Sequence, residues 1–271
     1  MQKIVFNAHY LMYFDTAIAD YWRALALPYS QAMDLLGGDL YVKKASVEYH
    51  GSAHFDDRLQ VALRLNRVGN SSMAFSGAIF RGDELLISCE LVYVFADPQT
   101  QTAKPVPDAL RQVLTGFEAG EPSFSVKTGS WAELGPDAAR VREEVFVREQ
   151  KIPIALEWDS ADATALHAVA YNGLGQAVGT ARLLQSSGTN AVSTEPAKIG
   201  RMAVKSVLRG SGIGQQLLHT LMLQAKRRGQ LQVVLHAQRS AQQFYQRAGF
   251  AVRGEPFDEV GIPHIEMFAA T

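Results

Sequence analysis

Cysteine is nearly missing from this chain. Cys89 is the only one in 271 residues, which excludes an intramolecular disulfide framework and fits a reducing compartment. It lies inside an apolar strand pattern and reads as a core thiol. Excess charge of either sign is missing too. The formal net charge of −1 is too small for the electrostatic footprint of a nucleic-acid or anionic-membrane binder. No apolar run approaches the roughly 20 residues that span a bilayer. The opening MQKIVFNAHYLMYFD carries one lysine and a short apolar patch that polar residues soon interrupt, unlike a secretory signal. Repeats and low-complexity segments are also lacking. The expectation is a cytoplasmic protein with no nucleic-acid and no membrane partner. What remains is ordinary globular material, 47% hydrophobic and 20% charged, long enough for two domains of ~100–200 residues each.

The two halves differ in texture. From Ala8 to Leu27, Leu11, Phe14, Ile18, Trp22 and Leu25 recur at helical spacing, and Pro28 ends the run. Alternating segments follow. RLQVALRLNRV (58–68) places Leu59, Val61, Leu63 and Leu65 on one face, and the hairpin signals VGN and RGDE separate it from SSMAFSGAIF and LLISCELVYVF. A helix with an antiparallel meander makes an α+β domain over 1–118. FEAGEPSFS (117–125) is the linker candidate. From 124 to 271 the pattern is mixed α/β, with a helix over 135–150 and strands over 165–172, 176–184 and 197–204. A Gly-rich turn then leads into an amphipathic helix carrying Ile213, Leu217, Leu218, Leu221 and Met222, and a further strand (231–237) and helix (240–249) come after it.

The Gly-rich turn, RGSGIG (209–214), is built for close approach of a ligand to the backbone. A dinucleotide fingerprint needs a third glycine at 215, where Gln215 stands, and a Walker loop needs Gly-Lys-Ser/Thr, which the chain lacks. What remains is R-x-x-G-x-G between a strand and a helix. Glycines at 210, 212 and 214 clear side chains from the turn, so successive N–H groups can converge on one anion. The helix N-terminus and Arg209 add positive character. A pyrophosphate is the expected guest.

With its flanks, RMAVKSVLRGSGIGQQLL resembles the acetyl-CoA-binding segment of the GNAT acetyltransferase superfamily. REEVFVREQKIP (142–153), EWDSADATALHAV (157–169), HAQRSAQQFYQRAGF (236–250) and FDEVGIPHIEM (257–267) extend the resemblance, in order, across 124–271. The resemblance implies that acetyl-CoA is a co-substrate and a small amine the acceptor. It also implies that Met202, Ala203, Val204, Arg209, Gly210, Ser211, Gly212, Ile213 and Gly214 hold the CoA moiety, and that Tyr245 is the acid that protonates the leaving thiolate. Tyr245 shares a helix face with Ala241, Phe244 and Ala248, so inward packing is the competing role for it. Glu143, Glu144, Glu157, Asp159 and Asp162 lie in the blocks on the substrate side, but none is singled out as a base. His236 and His264 belong to the same blocks as packed or pocket-lining residues. The grouping of Glu157, Asp159, Asp162 and His167 does not make a metal site on spacing, and no metal is expected.

IVFNAHYLMYFDTA and the run from YVKKASVEYH to KPVPDAL are similar to a hotdog acyl-CoA thioesterase of the 4-hydroxybenzoyl-CoA type. That similarity implies a helix wrapped by an antiparallel sheet and a homo-oligomer formed through this domain. The family's aspartate would fall before Met1, and Lys3 stands where its glycine is usual, so hydrolysis is not expected of the chain as written. Asn7 reads as a helix N-cap. Three functions stay in view: N-acylation of an amine, acyl-CoA hydrolysis, and CoA binding or oligomerisation without turnover.

Overall fold

The apolar spacing of the first thirty residues produces two helices rather than one. The computed structural model, which describes residues 3–184 and 196–271, places α1 at His9–Ala24 and α2 at Tyr29–Leu36. Between them Ala26 takes φ +55°, and the N–H of Leu27 donates to the Trp22 carbonyl at 3.1 Å. The first helix therefore ends in a left-handed turn before Pro28, which stands at the N-cap of α2. Asn7 does not cap α1. The capping position falls on Ala8, with no side-chain bond. The buried face of α1 is Tyr10, Phe14, Ile18, Tyr21 and Trp22, while Leu11 faces solvent.

The unit Met1–Ser123 continues with β1 (Asp39–Tyr49), β2 (Gln60–Val68), β3 (Ser72–Arg81), β4 (Glu84–Ala96) and α3 (Asp108–Glu118). The four strands form one antiparallel sheet in the order β1-β4-β3-β2. Phe14 lies against β3 at Gly77, where an added Cβ would come within 2.5 Å of its ring. A larger residue at 77 would lift the helix from the sheet. Tyr21 donates to Glu118 at 2.8 Å, and the same carboxylate oxygen accepts from the Leu65 N–H at 2.8 Å, beside a register break in β2. Cys89 is buried in β4, and burial pushes its thiol up to about 11. This is the helix-on-sheet arrangement of the hotdog fold.

The unit Phe124–Thr271 contains β5 (Phe124–Gly129), α4 (Trp131–Arg142), α5 (Ile154–Glu157), β6 (Leu166–Asn172), β7 (Ala177–Leu184), β8 (Ala197–Val204), α6 (Ile213–Arg227), β9 (Gln232–Gln238), α7 (Gln242–Arg247), β10 (Ala251–Glu259) and β11 (Ile262–Ala270). Ser130 and Glu133 form a capping box at the start of α4. Past Arg142 that helix widens into a π-helical stretch, Glu143–Glu149. Seven strands make one sheet in the order β10-β11-β9-β8-β7-β6-β5. Among the described residues only β8 and β9 pair in parallel, and every other neighbouring pair is antiparallel. Ile213, Leu217, Leu218, Leu221 and Ala225 bury the inner face of α6, and Val141, Val145, Phe146 and Ala203 form a small core beneath the π-helical stretch. No helix among the described residues is long and apolar enough to cross a membrane.

Candidate active site

The parallel pair at the centre of the seven-stranded sheet is very short. β8 and β9 are in register only at Ala197 with Val233 and Lys198 with Val234. Beyond these positions β9 continues to pair with β11, and the two central strands part. The outer edge of β8 from Ile199 onward is thus left without a ladder partner on the β9 side. On its other side β8 bulges. Thr180 faces Ala203 and Arg182 faces Gly200, which leaves Arg201 and Met202 opposite Ala181. Arg201 takes φ +50° there, a conformation that costs a non-glycine residue of order 1 kcal/mol or more and is concentrated at functional sites.

β8 leads through a short 3-10 turn, Ser206–Leu208, to the glycine loop. Gly210 and Gly212 take φ +89° and +86°. At neither does any other part of the unit lie within 4 Å of where a Cβ would stand. The space is open and the backbone is left-handed, so glycine serves both needs. Gly214 sits in the first turn of α6, and a Cβ there would meet Met202 Cε and Phe244 Cζ at 3.5 Å. The first N–H groups of α6 have no acceptor within the helix. Ser211 shapes the turn instead, since its N–H (3.3 Å) and its hydroxyl (2.6 Å) both donate to the Leu208 carbonyl. Arg209 donates from Nε to the Val204 carbonyl at 3.3 Å and pairs bidentately with Glu149, both N···O distances being 2.7 Å.

A cavity of about 370 Å³ opens where the strands part. Met202 and Tyr245 lie on its wall, together with His236, Gln238 and His264. Tyr245 is buried between Phe244 and Phe250. Its hydroxyl donates to the Met202 sulfur at 3.6 Å, a weak acceptor, and burial pushes the phenol up to about 12. It is protonated at neutral pH and its proton is loosely committed. His264 has Nδ1 at 2.8 Å from the Ile262 carbonyl, so that nitrogen carries the hydrogen. His236 lies 3.3 Å from Glu259 through Nδ1 and 3.3 Å from the Lys198 ammonium through Nε2.

The acidic residues of the substrate-side blocks are held by basic side chains, arginines in all cases but one. Arg142, 1% exposed, reaches Glu157 through Nε at 2.5 Å and Asp162 through Nη1 at 2.8 Å. Its guanidinium stacks on Trp158 at 4.8 Å and Trp131 at 5.5 Å. Arg182 bonds both Asp159 and Asp162 at 2.6 Å, and Arg201 adds a contact to Asp159 at 3.1 Å. The Arg182 guanidinium holds Asp159 below the usual carboxylate range. Burial acts to raise Asp162, but Arg142 and Arg182 outweigh it and hold it low. For Glu157 burial prevails and the carboxyl is raised, against Arg142 and Arg201. Burial lowers His167, whose Nε2 meets the Asp162 carbonyl at 2.9 Å. Glu143 and Glu144 pair with Arg148 and Lys205. Among the described residues no His, Cys, Asp and Glu group is placed to hold a metal. Sequence alone does not single out these arginines, and the one signal it holds for them is Arg182, a lone charge in the apolar strand QAVGTARLL, where a charge needs a buried counter-ion. Glu149 gives no such signal.

In the other unit, Asn7, His9, Tyr10, Tyr49 and Ser52 border an open cavity of about 870 Å³ at the start of α1.

Comparison with known proteins places both units. The acetyltransferase (GNAT) domain model matches residues 134–270, just over half of the chain. The thioesterase superfamily model matches residues 2–88. An uncharacterised N-acetyltransferase of Bacillus subtilis, YjcF, is 35% identical over 132 residues, 48% of this chain and 89% of its own. Protein ElaA of Escherichia coli is 36% identical over 130 residues, 47% of this chain and 82% of its own. The crystal structure of ElaA aligns with 54% of this chain and 98% of its own, with a TM-score of 0.47 and 33% identity.

Proposed function

This chain belongs to the GNAT acetyltransferase family and carries a thioesterase-superfamily domain in its N-terminal part, and from that premise we propose that it is an acetyl-CoA-dependent N-acyltransferase acting on a small amine. The observation that carries the reading is the parting of β8 from β9, which opens a cavity with Tyr245 on its wall and continues into the left-handed glycine loop. Arg209 and the N–H groups of Gly210, Gly212, Ile213 and Gly214 would hold a pyrophosphate, in a turn that Ser211 shapes. Met202, Ala203 and Val204 would offer the open backbone edge of β8 to the pantetheine arm, their amides polarising a carbonyl placed there.

Acetyl-CoA supplies an acyl carbon joined to a thiolate leaving group. Tyr245 holds a proton that its weak sulfur partner does not compete for strongly, and it can give that proton to the departing sulfur. The amine attacks directly, so Cys89, in the other domain, has no part. Glu157 and Asp159 line the cavity, and with Asp162 they are bound to arginines. No base is assigned among them, and the amine proton passes to a carboxylate or an ordered water as the C–N bond forms and the C–S bond breaks.

Incubating the protein with cell extract and acetyl-CoA, and searching for acetylated products by mass spectrometry, tests the reading. An acetylated small amine that needs the wild-type protein and falls with Tyr245→Phe supports it. Tight binding of coenzyme A with no product across the extract and a broad amine panel would replace it with a non-catalytic CoA-binding role.

One observation favours a second reading, hydrolysis of acyl-CoA by the N-terminal domain: the cavity bordered by Asn7 and His9 at the start of α1. Thiol release from acyl-CoA without amine, lost in His9→Ala and kept in Tyr245→Phe, would establish it. Assembly into a homo-oligomer through this domain is tested by sedimentation.

A further inference from the structure

Arg209 is already engaged, and by an anion. Both guanidinium Nη atoms lie 2.7 Å from the two oxygens of Glu149, the two-point arrangement that an arginine also makes with a phosphate. We propose that Glu149 is an internal competitor for the CoA site: its carboxylate occupies the place on Arg209 that a phosphate of the pyrophosphate would take, and CoA must displace it. The inference rests on the reading of RGSGIG as the pyrophosphate cradle.

Three observations carry it. First, the pair is accessible. The Arg209 and Glu149 side chains are 46% and 37% exposed, so a ligand arriving from solvent can exchange with the carboxylate. The buried pair of Arg142 with Glu157, 1% and 2% exposed, offers no such route. Second, the guanidinium has few other ties. Its Nε contact to the Val204 carbonyl, at 3.3 Å, orients the side chain beside the loop without using the outer nitrogens. Third, Glu149 ends the π-helical stretch Glu143–Glu149. The next residue, Gln150, accepts from the Gln238 side chain at 2.9 Å and lines the cavity. π-Helical segments are less regular than α-helix and recur at functional sites. The segment releasing Arg209 is thus the one that contributes to the cavity wall.

The proposal sets the sign of a mutation. If Glu149 only aligned Arg209 for its ligand, removing its charge would weaken CoA binding. As a competitor, its removal strengthens binding, because a half-exposed ion pair no longer has to be broken and a like charge beside the diphosphate is gone.

Calorimetric titration of the full-length protein with coenzyme A decides between them, with wild type, Glu149→Gln, Arg209→Gln and the double variant, and with pantetheine as a probe lacking the pyrophosphate. The expected result is binding about 3- to 10-fold tighter for Glu149→Gln, weaker for Arg209→Gln, little further gain on adding Glu149→Gln to Arg209→Gln, and no effect of Glu149→Gln on pantetheine. Circular dichroism melting of each variant establishes that it is folded. Unchanged or weaker coenzyme A binding by a folded Glu149→Gln, with the Arg209→Gln loss intact, overturns the competitor and leaves the cradle standing. Coenzyme A binding that is indifferent to Arg209→Gln removes the cradle and the competitor together.

Discussion

Two arginine–carboxylate systems in the C-terminal unit use the same chemistry to opposite ends. Arg142 and Arg182 are enclosed with Glu157 and Asp162, Arg182 reaching out to the more exposed Asp159, and Arg142 lies over two tryptophan rings. Arg209 meets Glu149 near the surface, beside a loop with open space around its glycines. Burial separates them. An enclosed pair cannot exchange its partner without stranding a charge in a poor solvent, so it fixes structure. An exposed pair contributes little to stability and can trade one anion for another.

The largest effect that can break this contrast is Arg142→Ala. Leaving Glu157 and Asp162 without that partner should lower stability by about 3–5 kcal/mol, read from urea denaturation of the full chain. A loss under ~1 kcal/mol would erase the difference between the two systems. Next is Tyr245→Phe, expected to lower kcat about 10–100-fold once an acceptor is in hand, with coenzyme A affinity unchanged. Equal turnover would return Tyr245 to a packing role. Gly212→Ala comes third. At φ +86° a side chain adds strain of about 1–2 kcal/mol, and coenzyme A affinity should fall roughly tenfold while the melting temperature drops only a few degrees.

The smallest effect at ordinary pH sharpens the comparison from the buried side. Asp159 and Asp162 are held below their usual carboxylate range in the folded chain. A depressed carboxyl contributes stability that is present above its unfolded value, near ~3.9, and is lost as pH falls through the lower folded value. Melting temperature should therefore decline first below about 6.5, the unfolded value of His167, which burial keeps neutral in the folded chain, and fall further through the carboxylate range. A melting temperature unchanged through that acid window would mean that the arginines do not hold these carboxylates as charged groups.

Much of this is legible in the residues alone, and the gaps have physical causes. Alternation marks the strands of the N-terminal sheet because one face of that sheet is covered by α1. The amphipathic stripe of α6 marks its inner face at Ile213, Leu217, Leu218 and Leu221, although Met222 is only half-buried and Ala225 takes the last buried position. The R-x-x-G-x-G spacing locates the loop because left-handed backbone singles out glycine. Helix ends are harder: Ala26 turns left-handed where propensity would continue α1, since closing the helix beneath Trp22 outweighs the local cost. The register break in β8 leaves no mark, because Arg201 is strained by its neighbours rather than by its own chemistry. Partnerships are hardest. Arg142 pairs with Glu157 and Asp162, and Arg209 with Glu149, 60 positions apart, and only the folded sheet brings them together. The acids of EWDSAD offer several roles as a sequence, and the structure sets an arginine against each of them.

The most direct test of the glycine cradle is a 1H–15N amide titration of the full-length protein with coenzyme A. The resonances of Gly210, Gly212, Ile213 and Gly214 are expected to shift together and saturate with one affinity, while pantetheine leaves them in place. Coenzyme A that binds elsewhere while those four amides stay still would contradict the cradle.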